Sequence, residues 1–205
     1  MPLLLSSIPN APTVVKKGKH FSCAGVFMKG WKQSKQYSIT VAEGASADIR
    51  FFFLGNNAHS FPLRCTSIQK GSGSSVRISF RSVLFDSSSV DESTLLAIES
   101  GAAESRALFS HHILLVSPLA KGKTTPSFEI KTDRVMAKHA ASVSALDDEA
   151  LYYLSTRGCD SKAAQKLLIH GFLSAESSSI QDNTLKNKTE HIIDSFIDEQ
   201  ISYDS

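Results

Sequence analysis

The sequence predicts a mainly β protein that ends in helices. Two observations carry that expectation. From about Lys19 to Ala141, apolar residues recur at every second position in short runs separated by turn-forming clusters, and from Leu146 onward the spacing becomes helical. Many short strands at near-regular spacing are compatible with a sandwich, a barrel or a β-solenoid. No Asn-Gly or Asp-Gly dipeptide joins neighbouring strands, and strand-sized runs recur without clean hairpin pairing, which leans toward the solenoid.

The strands follow in order. Residues 1–18 read as an N-terminal segment and 19–145 as the β core. Tyr37, Ile39 and Val41 alternate with Ser38 and Thr40, and Val76, Ile78 and Phe80 alternate with Arg77 and Ser79. The run Val83-Leu84-Phe85 comes next, and Phe128 and Ile130 alternate with Glu129 and Lys131. β-Branched and aromatic residues at period two suit a strand with one buried face. Gly55-Asn56-Asn57, Gly71-Ser72-Gly73-Ser74 and Asp86-Ser87-Ser88-Ser89 supply the turns.

Residues 146–173 predict an αα-hairpin. Asp147, Asp148 and Glu149 suit the positive end of a helix dipole, Leu151 and Leu154 set a helical stripe, and Gly158 stops the helix after Arg157. A second helix is capped by Asp160 or Ser161, carries Ala163, Ala164, Leu167 and Leu168 on its apolar face, and ends at Gly171. The Ser-rich stretch 174–187 reads as a linker. Residues 188–205 predict an amphipathic acidic helix whose apolar face (Ile192, Ile193, Phe196, Ile197, Ile201) needs a partner surface.

Composition narrows the function. The chain has 205 residues, 41% hydrophobic and 20% charged, with a net charge of +2. That balance, with Lys and Arg scattered and not interleaved with aromatics, argues against nucleic-acid binding. Three widely spaced cysteines, Cys23, Cys65 and Cys159, argue against a disulfide framework and for a reducing compartment, and no CxxC is present. Met1 to Pro9 lacks a basic n-region and an h-region of signal-peptide length, and no apolar run reaches the roughly 20 residues of a membrane span. The expectation is a soluble cytoplasmic protein without a membrane partner. Phosphate-binding Gly-rich loops, HExxH and GxSxG are absent, and Asp147-Asp148-Glu149 has no paired nucleophile. A carbohydrate-acting solenoid would gather carboxylates on one strand face, and no such cluster is found.

Longer motifs are more specific. The stretch Lys138 to Gly158 opens on His139-Ala140-Ala141, runs through Leu146-Asp147-Asp148-Glu149-Ala150-Leu151-Tyr152-Tyr153-Leu154 and closes on Arg157-Gly158. It resembles the C-terminal signature of the SufB/SufD family of iron–sulfur cluster assembly scaffolds. The run Ala163 to Gly171-Phe172 resembles the family's next helix. Upstream, Val83-Leu84-Phe85-Asp86, Leu96 to Ala102, Leu114-Leu115-Val116-Ser117 and Pro126 to Ile130 resemble its strands in the correct order.

The resemblance implies a right-handed parallel β-helix with a C-terminal helical extension, acting as a non-enzymatic scaffold closest to SufD. It implies pairing with a SufB/SufD-like subunit or a second copy through the β-helices. It also implies docking of a SufC-type ATPase on the C-terminal helices, at Leu151, Tyr152, Leu154, Leu167, Leu168 and Phe172. Family members usually carry a further N-terminal helical domain and a longer β-helix, so the chain is expected to be a minimal version. His139 matches the family histidine at the subunit interface, where imidazole can ligate iron of a transient iron–sulfur cluster beside thiolates. His111 falls near the position of an essential SufB cysteine and is the second candidate metal ligand. His112, its neighbour on a strand, must point to the opposite face. Two departures stand out: Ala137 where SufD proteins often have cysteine, and Ala140 where SufB proteins have glutamate. Cys23 and Cys65 are expected to be buried, inert thiols. The resemblance leaves flavin use open. A docking subunit without cluster ligands is the alternative function.

Overall fold

The computed structural model describes residues 3–5, as backbone, and 11–202; residues 1–2 and 6–10 of the expected N-terminal segment and 203–205 of the expected last helix lie outside it. Strands come first: β1 (Leu3–Leu5), β2 (Thr13–Val15), β3 (His20–Phe27), β4 (Lys35–Val41), β5 (Ser46–Gly55) and β6 (Ser60–Gln69), then β7 (Ser75–Leu84), β8 (Ser89–Ile98), β9 (Arg106–Leu115), β10 (Lys121–Ile130) and β11 (Met136–Ala145). Odd-numbered strands form one sheet, in the order β1-β3-β5-β7-β9-β11, and even-numbered strands form the other, in the order β10-β8-β6-β4-β2. Every pairing is parallel, as in β5 with β7 and β6 with β8. The chain therefore winds as a two-walled parallel β-solenoid, and the predicted β-helical core begins before residue 19, at β2 or earlier.

Register explains the core. One coil carries the chain from Ile49 to Ile78, the next to Phe109 and the next to His139, each directly above the last. The inward faces of both walls make one continuous apolar core that includes Ile49, Phe51, Phe53, Phe61, Phe80 and Phe109. At the corners, Gly44 and Gly73 adopt left-handed backbone, and Glu104 does the same with φ 61°. Gly71 serves packing: a Cβ there would lie 2.2 Å from the backbone nitrogen of Glu43 in the coil below.

Three helices follow: α1 (Asp148–Thr156), α2 (Ser161–Ser177) and α3 (Asn183–Ser202). Asp147 caps α1 by accepting from the backbone N–H groups of Glu149 and Ala150, and Asp160 caps α2 at Ala163. Three expectations need correction. Helix α2 runs through Gly171 to Ser177, because Leu173 and Ser177 are buried on the far side of the glycine. A helix-interior glycine costs only about 0.5–1 kcal/mol, which that burial offsets. The expected linker 174–187 shrinks to residues 178–182, where Ile180 is buried with Ala24 and Leu185. The buried face of α2 is Ala164, Ile169 and Leu173, one step around the helix from the predicted stripe.

The partner surface of α3 belongs to the chain itself. Ile193, Phe196, Ile197 and Ile201 of α3 and Ile169 and Leu173 of α2 pack on outward-facing Phe52, Leu54, Val83 and Leu114 of the odd-strand sheet. A polar clamp borders this second core. Arg50, 2% exposed, directs Nε to Glu176 at 3.0 Å and Nη2 to the carbonyl and hydroxyl of Ser179. Its Nη1 lies 2.9 Å from Asp48 as an ion pair, without the alignment of a hydrogen bond. Ser79 donates to the same Glu176 oxygen at 2.7 Å. Among the described residues, no helix is long and apolar enough to cross a membrane.

Candidate functional site

Among the described residues, β10 and β11 end their sheets, so one strand edge and the inward face of this last coil lack a further layer. Phe128, Ile130 and Val143 keep the inward parity of the buried residues beneath them, yet they are 45%, 42% and 46% exposed. Apolar side chains that a further coil would bury stand uncovered here.

His139 sits in this open end. It stacks in register on Phe109, its ring centroid lies 5.3 Å from that of His111, and Phe128 approaches edge-on at 6.2 Å. Its Nε2 is buried without a hydrogen-bond partner, and so is Oγ1 of Thr124 on the opposite wall. Burial, and then the nearby His111, hold the His139 pKa below the ordinary histidine value. The ring is therefore neutral at pH 7 and keeps a lone pair for a metal.

His111 is fully buried one coil below, and both its ring nitrogens are engaged. Nδ1 lies 2.6 Å from Oε2 of Glu92, and Nε2 lies 3.3 Å from the Thr94 hydroxyl. Its ring stacks flat on Phe80 at 4.4 Å and 6°. Glu92, also unexposed, accepts at Oε1 from the Ser82 hydroxyl at 2.9 Å. The structure thus brings the two candidate histidines together, with His111 already satisfied and His139 open. His112 points outward, where its Nδ1 lies 2.8 Å from the Ser142 hydroxyl. Glu92, Thr94 and Ser82 did not emerge from the sequence. Their signal is parity: Glu92 and Thr94 occupy inward positions between Val90 and Leu96, where the alternation calls for apolar side chains.

The cysteines lie elsewhere. Cys23 is in β3, with β5, β7 and β9 between it and β11, and Cys65 is in β6. Burial, with a smaller push from Asp48, raises the Cys23 thiol to about 12, and burial raises Cys65 as well. Among the described residues, no three His, Cys, Asp or Glu side chains are arranged to hold a metal.

Two results follow for the thiols. Iodoacetamide at pH 8 should label Cys159, which is half-buried, and leave Cys23 and Cys65 unmodified until the protein unfolds. Because Cys23 keeps its proton when folded, its contribution to stability is complete below the ordinary thiol pKa of 9.0 and is lost as pH rises toward about 12. A Cys23→Ala, Cys65→Ala protein should show a flatter fall of urea midpoint between pH 9 and 11; an unchanged slope would refute the assignment.

On the helical extension, Tyr152 and Leu167 are 73% and 54% exposed, and Leu151, Leu154 and Leu168 are half-buried. Phe172 is half-buried under the Arg81 guanidinium, 4.8 Å from its ring centroid.

The family model for the SufBD core domain of SUF-system FeS cluster assembly matches residues 9–172. The iron–sulfur cluster assembly protein SufD of Bacillus subtilis is 28% identical over 170 residues, which cover 83% of this chain and 39% of that protein. SufD of Escherichia coli is 31% identical over 94 residues, covering 46% of this chain and 22% of its own length. The chloroplastic SufBD family protein ABCI8 of Arabidopsis thaliana is 26% identical over 169 residues, covering 78% and 30%. The matched stretch thus spans well under half the length of each of these relatives.

Proposed function

The chain belongs to the SufBD core family of iron–sulfur cluster assembly proteins, and from that membership we propose that it is a SufD-like, non-enzymatic scaffold subunit of the SUF machinery in the cytoplasm. The observation that carries the proposal is the open end of the solenoid. A neutral imidazole with an unengaged, buried Nε2 stands among uncovered apolar residues and beside an unpaired strand edge.

The open end receives a SufB/SufD-like subunit or a second copy, and burial of Phe128, Ile130 and Val143 drives the pairing. His139 then offers one nitrogen to iron of a nascent cluster. Thiolates come from the partner, since Ala137 occupies the cysteine position and Cys23 and Cys65 are buried on other strands with their pKa values raised by burial. The cluster is cargo, held between subunits and handed on. A SufC-type ATPase docks on the exposed side of α1 and α2 through Leu151, Tyr152, Leu154, Leu167, Leu168 and the rim of Phe172, and ATP hydrolysis belongs to that partner.

Anaerobic reconstitution with iron and sulfide tests the proposal, with wild type and His139→Ala compared alone and with a cysteine-bearing SufB-like subunit. The expected result is a visible charge-transfer band in the paired complex that His139→Ala loses. A band of equal strength in the variant would remove His139 from the ligand set. Ala137 and Ala140 favour a second reading, a docking subunit without cluster ligands. It takes over if no combination forms a cluster while a SufC-type ATPase still binds.

A further inference from the structure

Glu92 poses a problem that the fold does not require. Its carboxylate has no exposure inside the solenoid, where burying a charge costs several kcal/mol unless it is paired and hydrogen-bonded. An apolar pair of similar volume would fill the same space at equal or greater stability. The structure instead spends four side chains, Ser82, Glu92, Thr94 and His111, on one polar network beneath the strand that carries His139. The Ser82 hydroxyl donates to Oε1 of Glu92, and Oε2 lies 2.6 Å from His111 Nδ1. In the arrangement that satisfies every polar atom, His111 Nδ1–H donates to Glu92 and the Thr94 hydroxyl donates to Nε2.

His111 is thereby fixed at both nitrogens. In strand order it lies between Phe80 of β7 and His139 of β11, flat against the first and 5.3 Å from the second. His139 has no hydrogen bond of its own at Nε2 to set its ring. Its orientation comes from the floor beneath it and from the edge of Phe128.

We propose that Glu92 and His111 are positioning residues for His139: Glu92 locks the His111 ring, His111 sets the aim of His139 Nε2, and the buried carboxylate supplies negative charge toward a metal cation bound there. The proposal rests on His139 being the ligand of the open end. It also replaces the direct metal-binding role expected for His111 with an indirect one, since His111 has no free nitrogen. Outer-shell partners of a ligating histidine commonly alter metal affinity by about 10–100-fold.

Histidine-labelled protein, free of metal, gives the first readout: NMR cross-peaks between the His139 and Phe128 rings. Cobalt(II) is then added, and paramagnetic broadening of the His139 ring signals reports binding, even weak binding. Glu92→Gln should weaken or abolish the cross-peaks and lower cobalt affinity about 10-fold. A Glu92→Leu, His111→Phe protein should unfold at the same temperature as wild type or higher and show the same affinity loss. A merely structural pair would give the reverse: a lower unfolding temperature with unchanged cobalt binding. Cobalt binding that survives His139→Ala would overturn the ligand assignment. The positioning claim is then decided by the metal-free spectra alone, and cross-peaks retained in Glu92→Gln overturn it. That single variant also decides the matter if the double variant does not fold.

Discussion

Arg50→Ala is expected to lower unfolding stability by about 3–5 kcal/mol, because it leaves buried charge without its counterpart. Arg50 is almost wholly buried between the sheet and the helical extension. It faces Asp48 on its own strand, Glu176 near the end of α2 and Ser179 just beyond it. Without the guanidinium, Glu176 keeps only the Ser79 hydroxyl at that oxygen, and the buried Oδ1 of Asp48 loses its ion pair and has no hydrogen bond to replace it. The loss should be local first. Limited proteolysis should cut within 178–182, the short connection between α2 and α3, before it cuts any strand. Urea unfolding measures the magnitude, and an Arg50→Leu, Glu176→Leu protein should recover much of it, since no charge is then stranded. A loss below about 1 kcal/mol for Arg50→Ala would mean that water reaches this contact.

Phe53→Ala should cost about as much, roughly 3–5 kcal/mol, through a different term. Phe53 is fully buried in β5, stacked on Phe27 at 5.3 Å, with Phe61 at 5.5 Å and Trp31 at 6.1 Å. Truncation removes apolar area and leaves a cavity among rings held by two walls and two coils, which cannot collapse without shifting strand register. Phe53→Leu should cost far less. Hydrogen exchange should quicken in β3, β5 and β6 and leave α1 unaffected. A uniform acceleration over the whole chain would argue instead for a single cooperative unit.

Much of this fold could be read from alternation because most strands have one buried face. Tyr37, Ile39 and Val41 point into the core, and Ser38 and Thr40 do not. The reading weakened where helices cover the outer face. In Phe51-Phe52-Phe53-Leu54 and Val83-Leu84-Phe85 every residue is buried, with alternate members in the inner and outer cores. Such runs lose their period and mark a sheet covered on both sides. Which surface α3 covers was not readable, because its apolar stripe states a need and not an address. Solenoid winding itself is a long-range property, and the family motifs supplied it where local propensity left sandwich and barrel open. In the site, His139 and His111 were visible as residue types. The Glu92 carboxylate that faces His111 lies 19 positions away in sequence and in the opposite sheet, so only the winding brings them together.

Interior coils of this protein rest on neighbours above and below, whereas, among the described residues, the coil formed by β10 and β11 has a neighbour on one side alone. In a stack held by nearest-neighbour terms, such a terminal coil is the least protected and frays first. Whatever seats on it acts as the missing capping repeat, so the order of the coil becomes linked by mass action to the concentration of that partner. Under the proposed pairing, the free energy that joins two subunits would also straighten the strand that presents His139, and dilution alone would loosen it.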